Sequence, residues 1–180
     1  MKAENIQTYC LFCKSGQENR VIEKLKSDGY APFAPLVVRW KPLNGKIRQT
    51  RSRLLPGYVF FDAEALPNWQ NIYAIEPVLR ILQYDDGERI LRGSDAEFVA
   101  WLKKYDGTIQ LSHVIQVGTK LEFIDGPLKE MEGKIIKVNK SRKQVQVAIG
   151  NDKSMMHTIW CSIDYIEANT DTDILSRDVD

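Results

Sequence analysis

The spacing of apolar residues divides the chain into two regions of different character. Up to about residue 107, apolar runs of strand length alternate with stretches whose apolar residues recur at helical spacing. Strands are predicted at 7–14, 33–40, 58–62 and 78–83, with a short helix at 67–73. Two longer helices are predicted by Val21, Ile22 and Leu25 before Gly29, and by Phe98, Val99, Leu102 and Tyr105 before Gly107.

Cap and turn residues place the boundaries of these elements. Ser15–Glu18 and Ser94–Glu97 both have the form of a capping box, in which a Ser side chain caps a backbone N–H and a Glu three residues later reaches back. Asn44-Gly45 indicates a tight hairpin turn. The resulting order, β-α-β-β-α-β-α, predicts an α+β domain with an antiparallel sheet flanked by helices.

After about residue 114 the helical spacing disappears. Short strands are predicted at 120–124, 133–139, 144–149, 157–161 and 163–166, with turn residues between them. Closely spaced strands of this kind predict a small all-β barrel. We therefore expect a first domain at 1–107, a linker at 108–113, a barrel domain at 114–168 and a disordered acidic tail at 169–180.

One predicted strand has apolar side chains on both faces. Within Arg53–Asp62 the chain turns at a Pro-Gly corner, after which Tyr58 and Phe60 point to one side, because side chains alternate along a strand. Val59 and Phe61 point to the other side. One side can belong to the core of the domain, whereas the other needs cover from another segment or from a partner. We expect Val59 and Phe61 in the core.

Positive charge is concentrated in two segments, although the net charge of the chain is only +1. Between residues 39 and 53, no acidic residue accompanies Arg39, Lys41, Lys46, Arg48, Arg51 and Arg53. The second segment, at 134–143, holds Lys134, Lys137, Lys140, Arg142 and Lys143. Such clusters can bind nucleic-acid phosphates, and Trp40 could stack on an unpaired base. The alternatives are a solvated charged surface and, for the second segment, a lysine-rich strand edge that discourages pairing.

The remaining composition argues against several classes of function. Cys10, Cys13 and Cys161 are odd in number and lack the partners of a zinc site, so buried structural thiols in a cytoplasmic protein are expected. The sequence has no apolar run long enough to span a membrane. The two histidines, His113 and His157, belong to no recognisable catalytic grouping. We expect neither enzyme activity nor a metal or cofactor.

Two motifs resemble those of the NusG family of transcription elongation factors. Tyr9–Glu18 and Leu55–Phe60 match the N-terminal domain of that family. Val117–Leu128, followed by Gly133–Val138, matches its KOW motif. Both motifs occur in the order and spacing of the family and together cover residues 6–168. The resemblance implies a NusG N-terminal domain followed by an SH3-like KOW barrel.

Details of the motifs are more similar to specialised paralogues such as RfaH and LoaP than to housekeeping members. Housekeeping proteins usually carry aromatic residues at the positions of Leu128 and Met131. The resemblance implies a factor that promotes antitermination on selected operons and binds the clamp helices of RNA polymerase. The polymerase-binding residues implied by motif matching are Phe12, Tyr58, Phe60 and Leu82.

The basic segments imply a nucleic-acid partner, which would be leader RNA, transcription-bubble DNA or both. The residues expected to bind it are Arg39, Trp40, Lys41, Lys46, Arg48, Arg51, Arg53, Lys137, Lys140, Arg142 and Lys143. The family resemblance also implies that the KOW barrel recruits a ribosomal or termination protein. The protein is expected to be a monomer. The alternative hypothesis is a stand-alone module that binds structured RNA without engaging polymerase.

Overall fold

A computed structural model of the protein describes residues 6–166, so the tail predicted at 169–180 lies outside the described residues. The N-terminal region contains β1 (Gln7–Cys13), α1 (Glu18–Ser27), β2 (Ala31–Phe33), β3 (Leu36–Leu43), β4 (Lys46–Arg53), β5 (Tyr58–Ala63), α2 (Trp69–Tyr73), β6 (Val78–Ile81) and α3 (Gly93–Lys104). The C-terminal region contains β7 (Thr108–Ile109), β8 (Ser112–Val117), β9 (Lys120–Phe123), a 3-10 helix (Pro127–Lys134), β10 (Ile135–Asn139), β11 (Gln144–Ala148) and β12 (Thr158–Tyr165).

The N-terminal region is built on a four-stranded antiparallel sheet in the order β2-β5-β1-β6, which confirms the predicted α+β class. One face of this sheet packs against α1, where Val21 and Leu25 join Leu11, Val59 and Phe61 in one apolar cluster. Val59 and Phe61 therefore lie in the core, as their position in the strand predicted.

The opposite face of the sheet is covered in large part by α3. Cys10 of β1 and Phe60 of β5 belong to one apolar cluster with Val99 and Leu102 of α3. Lys103 adds an ion pair of 2.7 Å to Asp62 at the same face. The face expected to need cover is therefore covered mostly by the chain itself.

The C-terminal region confirms the predicted barrel-type domain. Its five strands are ordered β10-β11-β12-β8-β9, and β12 pairs with β8 in parallel. The 3-10 helix contacts β8, β9 and β11 and connects the two edge strands. Buried core residues come from all these elements and include Val114, Phe123, Leu128, Val145, Ile159 and Cys161.

Several predicted boundaries differ in the structure. The strand predicted at 33–40 is two strands, because Ala34-Pro35 interrupts the pairing and sends β2 and β3 to different sheets. The segment 108–113, expected as a linker, contains β7, which pairs in parallel with β3, and the start of β8. Lys134, expected in a strand, ends the 3-10 helix.

Both capping-box predictions are wrong. The N-cap residues of α1 and α3 are Gln17 and Arg92, and neither makes a side-chain cap hydrogen bond. The side chain of Glu18 instead accepts from the backbone N–H of Gly57, 39 residues away. Ser94 instead shares a hydroxyl hydrogen bond of 2.6 Å with Ser154 of the barrel. In both places the side chain makes a tertiary contact that the local pattern did not predict.

Candidate docking face and nucleic-acid interface

The corner before β5 is held in one conformation by close contacts. Gly57 has φ +85°, and a Cβ built there would lie 2.8 Å from both the Cys13 carbonyl oxygen and Phe12 Cε2. Its N–H donates to Glu18 Oε1 at 2.7 Å, and its carbonyl accepts from the Cys13 N–H at 2.8 Å. Only glycine combines this backbone conformation with such a close approach. The corner fixes β5 beside β1.

Two aromatic rings stand at the open end of the α3-covered face. Phe12 and Tyr58 are paired across β1 and β5, with ring centroids 5.2 Å apart in an edge-to-face arrangement. The Arg80 guanidinium lies 5.2 Å from the Phe12 ring centroid. Both rings are partly exposed, so this end of the sheet presents an aromatic surface edged by a positive charge.

The two other residues predicted to bind polymerase are buried. Phe60 is 0% exposed and stacks on Phe33 at 5.4 Å, and Leu82 is 8% exposed. Phe60 therefore offers no surface to a partner in this conformation. Strand alternation predicts the face correctly but cannot predict which helix packs on it.

A cavity of about 400 Å³ lies beside Leu82 and is lined by Tyr73, Arg80, Ile81, Leu82, Gln83 and Met155.

The two arginines at the base of the basic arm, residues 39–53, have structural partners. Arg53 Nη1 donates to the Ala34 carbonyl at 3.1 Å, Nη2 donates to Asn19 Oδ1 at 2.5 Å, and Nε lies 3.8 Å from Glu18. Arg39 Nη2 donates to the Trp160 carbonyl oxygen at 3.0 Å. Both side chains, predicted to bind nucleic acid, are thus half-buried and engaged.

The outer part of the arm is exposed. Lys41 and Arg48 are opposite each other in the β3–β4 register, so two like charges share one face of the hairpin. Lys46 and Arg51 are also exposed, and within residues 6–166 none of these four side chains forms an ion pair. The arm therefore presents concentrated positive charge that an external anion would stabilise.

Trp40 is held at the junction between the arm and the barrel. Its indole Nε1 is buried and has no hydrogen-bond partner among residues 6–166, and Lys143 Nζ lies 5.7 Å from its ring centroid. Lys143 therefore occupies one face of the ring, and a base could stack on that face only if the lysine moved. That Trp40 stacks on an unpaired base stays a prediction.

The second basic segment forms the end of β10 and the turn before β11. Lys143 has φ +50° and pairs with Asp164 at 3.3 Å, and Lys140 donates to Gln116 at 3.3 Å. Lys137 and Arg142 are exposed and make no side-chain hydrogen bond or ion pair within the described range 6–166. Two of the four predicted residues of this segment are therefore free to bind an anion.

A buried carboxylate joins the domains at the start of α3. Asp95 is 1% exposed and accepts hydrogen bonds from Tyr84 Oη at 2.8 Å, the Met155 N–H at 3.0 Å and the Met156 N–H at 3.3 Å. Burial and the contact with Asp95 raise the pKa of Tyr84 to about 12, so its hydroxyl keeps the proton that it donates. Lys104 and Tyr105 bind Glu130 at the other end of α3.

The thiols are separated in space. Cys10 and Cys13 lie in different apolar clusters, on opposite faces of β1, and Cys161 lies in the barrel core. Burial raises the pKa of all three thiols.

No group of three His, Cys, Asp or Glu residues between Ile6 and Ile166 is arranged to hold a metal ion. None of the helices described there is long and apolar enough to cross a membrane.

A comparison with protein families agrees with the N-terminal sequence motifs. A family model for NusG, described as "Transcription termination factor nusG", matches residues 7–100, which is more than half of the chain. A solved structure titled "Domain interaction in Thermotoga maritima NusG" is 16% identical, with 88% of this chain and 94% of that chain covered at a TM-score of 0.47. No curated protein sequence matches the chain.

Proposed function

Because the chain belongs to the NusG family, we propose that it is a specialised, non-enzymatic transcription elongation and antitermination factor. Its N-terminal domain binds the clamp helices of RNA polymerase, and its basic residues contact nucleic acid, with leader RNA as the principal candidate. Both contacts are implied by the family resemblance, and each has a surface of suitable chemistry in the structure. The protein acts in the cytoplasm as a monomer.

The polymerase contact is supported by the aromatic pair Phe12 and Tyr58. The partly exposed rings lie at the end of the sheet face that α3 leaves open. An amphipathic helix of a partner can place its apolar face on such a surface. Arg80, beside Phe12, supplies a positive charge for an acidic residue of the same helix.

The nucleic-acid contact is supported by the exposed outer part of the arm. Lys41 and Arg48 face the same side of a two-stranded ribbon and are not neutralised within the described range. A protruding basic ribbon can bind backbone phosphates without a preformed groove, and such binding weakens as salt concentration rises.

The polymerase contact is tested with the double variant Phe12→Ala and Tyr58→Ala. We expect it to lose binding to purified RNA polymerase and to lose readthrough of a terminator in vitro, because the aromatic surface is removed while Phe60 stays in the core. Leu66→Ala is the matched control, since Leu66 is 80% exposed and lies outside this face. Unchanged polymerase binding in the double variant would show that the docking face is misplaced.

The second candidate function, a stand-alone module for structured RNA, is favoured by the same exposed arm. The variant Arg48→Glu with Arg51→Glu separates the two functions. A stand-alone module would lose its RNA affinity in this variant. Its wild-type form would show no binding to polymerase. The control Lys24→Glu with Lys26→Glu makes the same change in net charge on α1. An antitermination factor binds polymerase in all of these forms.

A further inference from the structure

We propose that the arm and the β10–β11 turn form one continuous basic surface across the domain junction, and that this surface binds the phosphate backbones of a double helix. The inference rests on the proposed nucleic-acid contact and specifies the shape of the partner. It also gives the packing of the two domains a role, because neither basic segment forms the whole surface alone.

The junction fixes the arm against the barrel at two consecutive residues. Arg39 Nη2 donates to the Trp160 carbonyl oxygen of β12 at 3.0 Å. At the next residue, Trp40, Lys143 Nζ lies 5.7 Å from the ring centroid. Two consecutive residues of β3 are therefore in contact with the barrel. The exposed arm therefore begins directly at the barrel surface.

The register of the barrel places a further charge near this junction. Lys137 pairs with Gln146, and Gln146 pairs with Trp160, so the three residues form one row across β10, β11 and β12. With neighbouring strands about 4.8 Å apart, Lys137 lies about 10 Å from the residue that Arg39 contacts. Arg142 is adjacent in sequence to Lys143, which touches Trp40. The exposed charges of the turn thus flank the base of the arm.

The charges of the combined surface lack internal partners. Lys41, Lys46, Arg48, Arg51, Lys137 and Arg142 are exposed and form no ion pair in the described part of the chain. Like charges placed directly opposite each other, as Lys41 and Arg48 are, destabilise a hairpin unless counter-ions neutralise them. Binding of phosphates would release those counter-ions and make affinity strongly salt-dependent.

A double helix fits this surface better than a single strand. Single-strand binding relies on open aromatic side chains that stack on bases. The one aromatic residue of the two basic segments is Trp40, and Lys143 lies over one face of its ring. The hairpin beyond Trp40 holds three residue pairs and extends over about 10 Å, and Lys137 lies about 10 Å from the junction, so these charges extend over at most about 20 Å, more than half of one helical turn of about 34 Å. The surface can read backbone position and shape.

The test measures binding of three probes of about 20 nucleotides per strand, which approaches two helical turns. The probes are an RNA hairpin, a DNA hairpin of the same sequence and an unpaired RNA of the same length. Two variants, Lys41→Ala with Arg48→Ala and Lys137→Ala with Arg142→Ala, remove one half of the surface each. We expect hairpin binding at 1:1 stoichiometry. Each variant should reduce the slope of log affinity against log salt by about 2, and the combined variant by about 4.

A third variant tests the junction without removing a basic residue. Asp95→Ala removes the acceptor of the Met155 and Met156 N–H groups and loosens the barrel on α3. If the surface is composite, hairpin affinity should fall at least tenfold, whereas Glu97→Ala, an exposed carboxylate on the same helix, should leave it unchanged. Circular dichroism verifies that both variants remain folded.

The outcomes separate this inference from the proposed function. Two hairpins bound per protein, or one variant with wild-type affinity and slope, would overturn the composite surface but leave nucleic-acid binding intact. Tighter binding of unpaired RNA would overturn the double-helical partner. Absence of binding to all three probes would overturn the nucleic-acid contact itself. Polymerase binding, measured in parallel, would still test the proposed contact with RNA polymerase. The two hairpins distinguish an RNA stem from duplex DNA as the source of the phosphates.

Discussion

Glu18 Oε1 accepts a hydrogen bond of 2.7 Å from the backbone N–H of Gly57. This contact ties the first residue of α1 to the corner that begins β5, and Arg53 Nε lies 3.8 Å from the same carboxylate. The carboxylate is 2% exposed. A buried charge is tolerated there because it has a hydrogen-bond donor and a cation beside it. The corner that positions Tyr58 therefore depends on a residue from another element.

Substitution of Glu18 by Ala should destabilise the N-terminal domain. The change leaves the Gly57 N–H without its acceptor in a buried position, which costs about 1–3 kcal/mol of unfolding free energy. Urea denaturation measures this difference. The control is Glu23→Ala, an exposed carboxylate of the same helix, whose effect should stay within about 0.5 kcal/mol. Equal effects of the two changes would contradict the role assigned to Glu18.

The stabilising effect of Glu18 should depend on pH. Burial alone would raise its pKa, but the Gly57 N–H, other backbone donors and Arg53 hold the pKa below its ordinary value of 4.5. Since the folded-state pKa is the lower one, the stabilisation is fully present above pH 4.5 and is lost as pH falls through the folded-state value.

The measurement compares wild type with Glu18→Gln, which cannot ionise, so that other titrating groups cancel. The difference in unfolding free energy should be constant between about pH 6 and 8 and should shrink as pH falls below the ordinary pKa of Glu, 4.5. A difference that grows on acidification would mean that the folded-state pKa is raised instead.

Gly57→Ala should be more damaging than substitution of a glycine that also has positive φ but has open space around it. A left-handed conformation costs a non-glycine residue roughly 1–2 kcal/mol, and here the new Cβ would also lie 2.8 Å from the Cys13 carbonyl oxygen. Gly16→Ala is the matched control, because Gly16 has φ +86° and a Cβ built there would meet no atom of the described residues within 4 Å. We expect a loss above about 2 kcal/mol for Gly57 and about 1 kcal/mol for Gly16. Similar losses would show that the corner relaxes around the methyl group.

Local patterns predicted the elements and their inner faces, because each depends on a few neighbouring residues. The alternation of Val59 and Phe61 with Tyr58 and Phe60 correctly separated the two faces of β5. The burial of Phe60 could not be predicted in this way, since it depends on α3, more than thirty residues further along the chain. The alternation of side chains predicts on which face of a strand a residue lies, but it does not predict which element packs against that face.

The candidate nucleic-acid site shows the same limit. Charge clustering predicted the exposed residues Lys41 and Arg48, because a run of basic residues on a hairpin has no acidic neighbour to bind. It failed to distinguish Arg39, whose guanidinium is engaged by a carbonyl of β12, 121 residues away. Nor could it predict that Lys143 lies over the Trp40 ring, because the packing of the two domains leaves no trace in the local sequence.

Asp95→Ala should loosen the barrel loop that rests on α3. The Met155 and Met156 N–H groups donate to the buried Asp95 carboxylate at 3.0 and 3.3 Å, and Tyr84 Oη donates at 2.8 Å. A hydrogen bond to a charged group contributes about 1.5–3 kcal/mol, so amide exchange at Met155 and Met156 should accelerate by about ten- to a hundredfold.

Hydrogen exchange resolved by residue measures the effect, and Asp95→Asn refines it. The Asn carbonyl can still accept, so exchange at the two amides should be intermediate between wild type and Asp95→Ala. Amides in the β11–β12 pairing, such as that of Val145, serve as internal controls because their donors and acceptors lie within the barrel. If those amides accelerate equally, the barrel itself has been destabilised and Asp95 does not act through the junction. If no amide changes, the loop is held by its apolar contacts alone, because Met156 is buried in the cluster shared with α3.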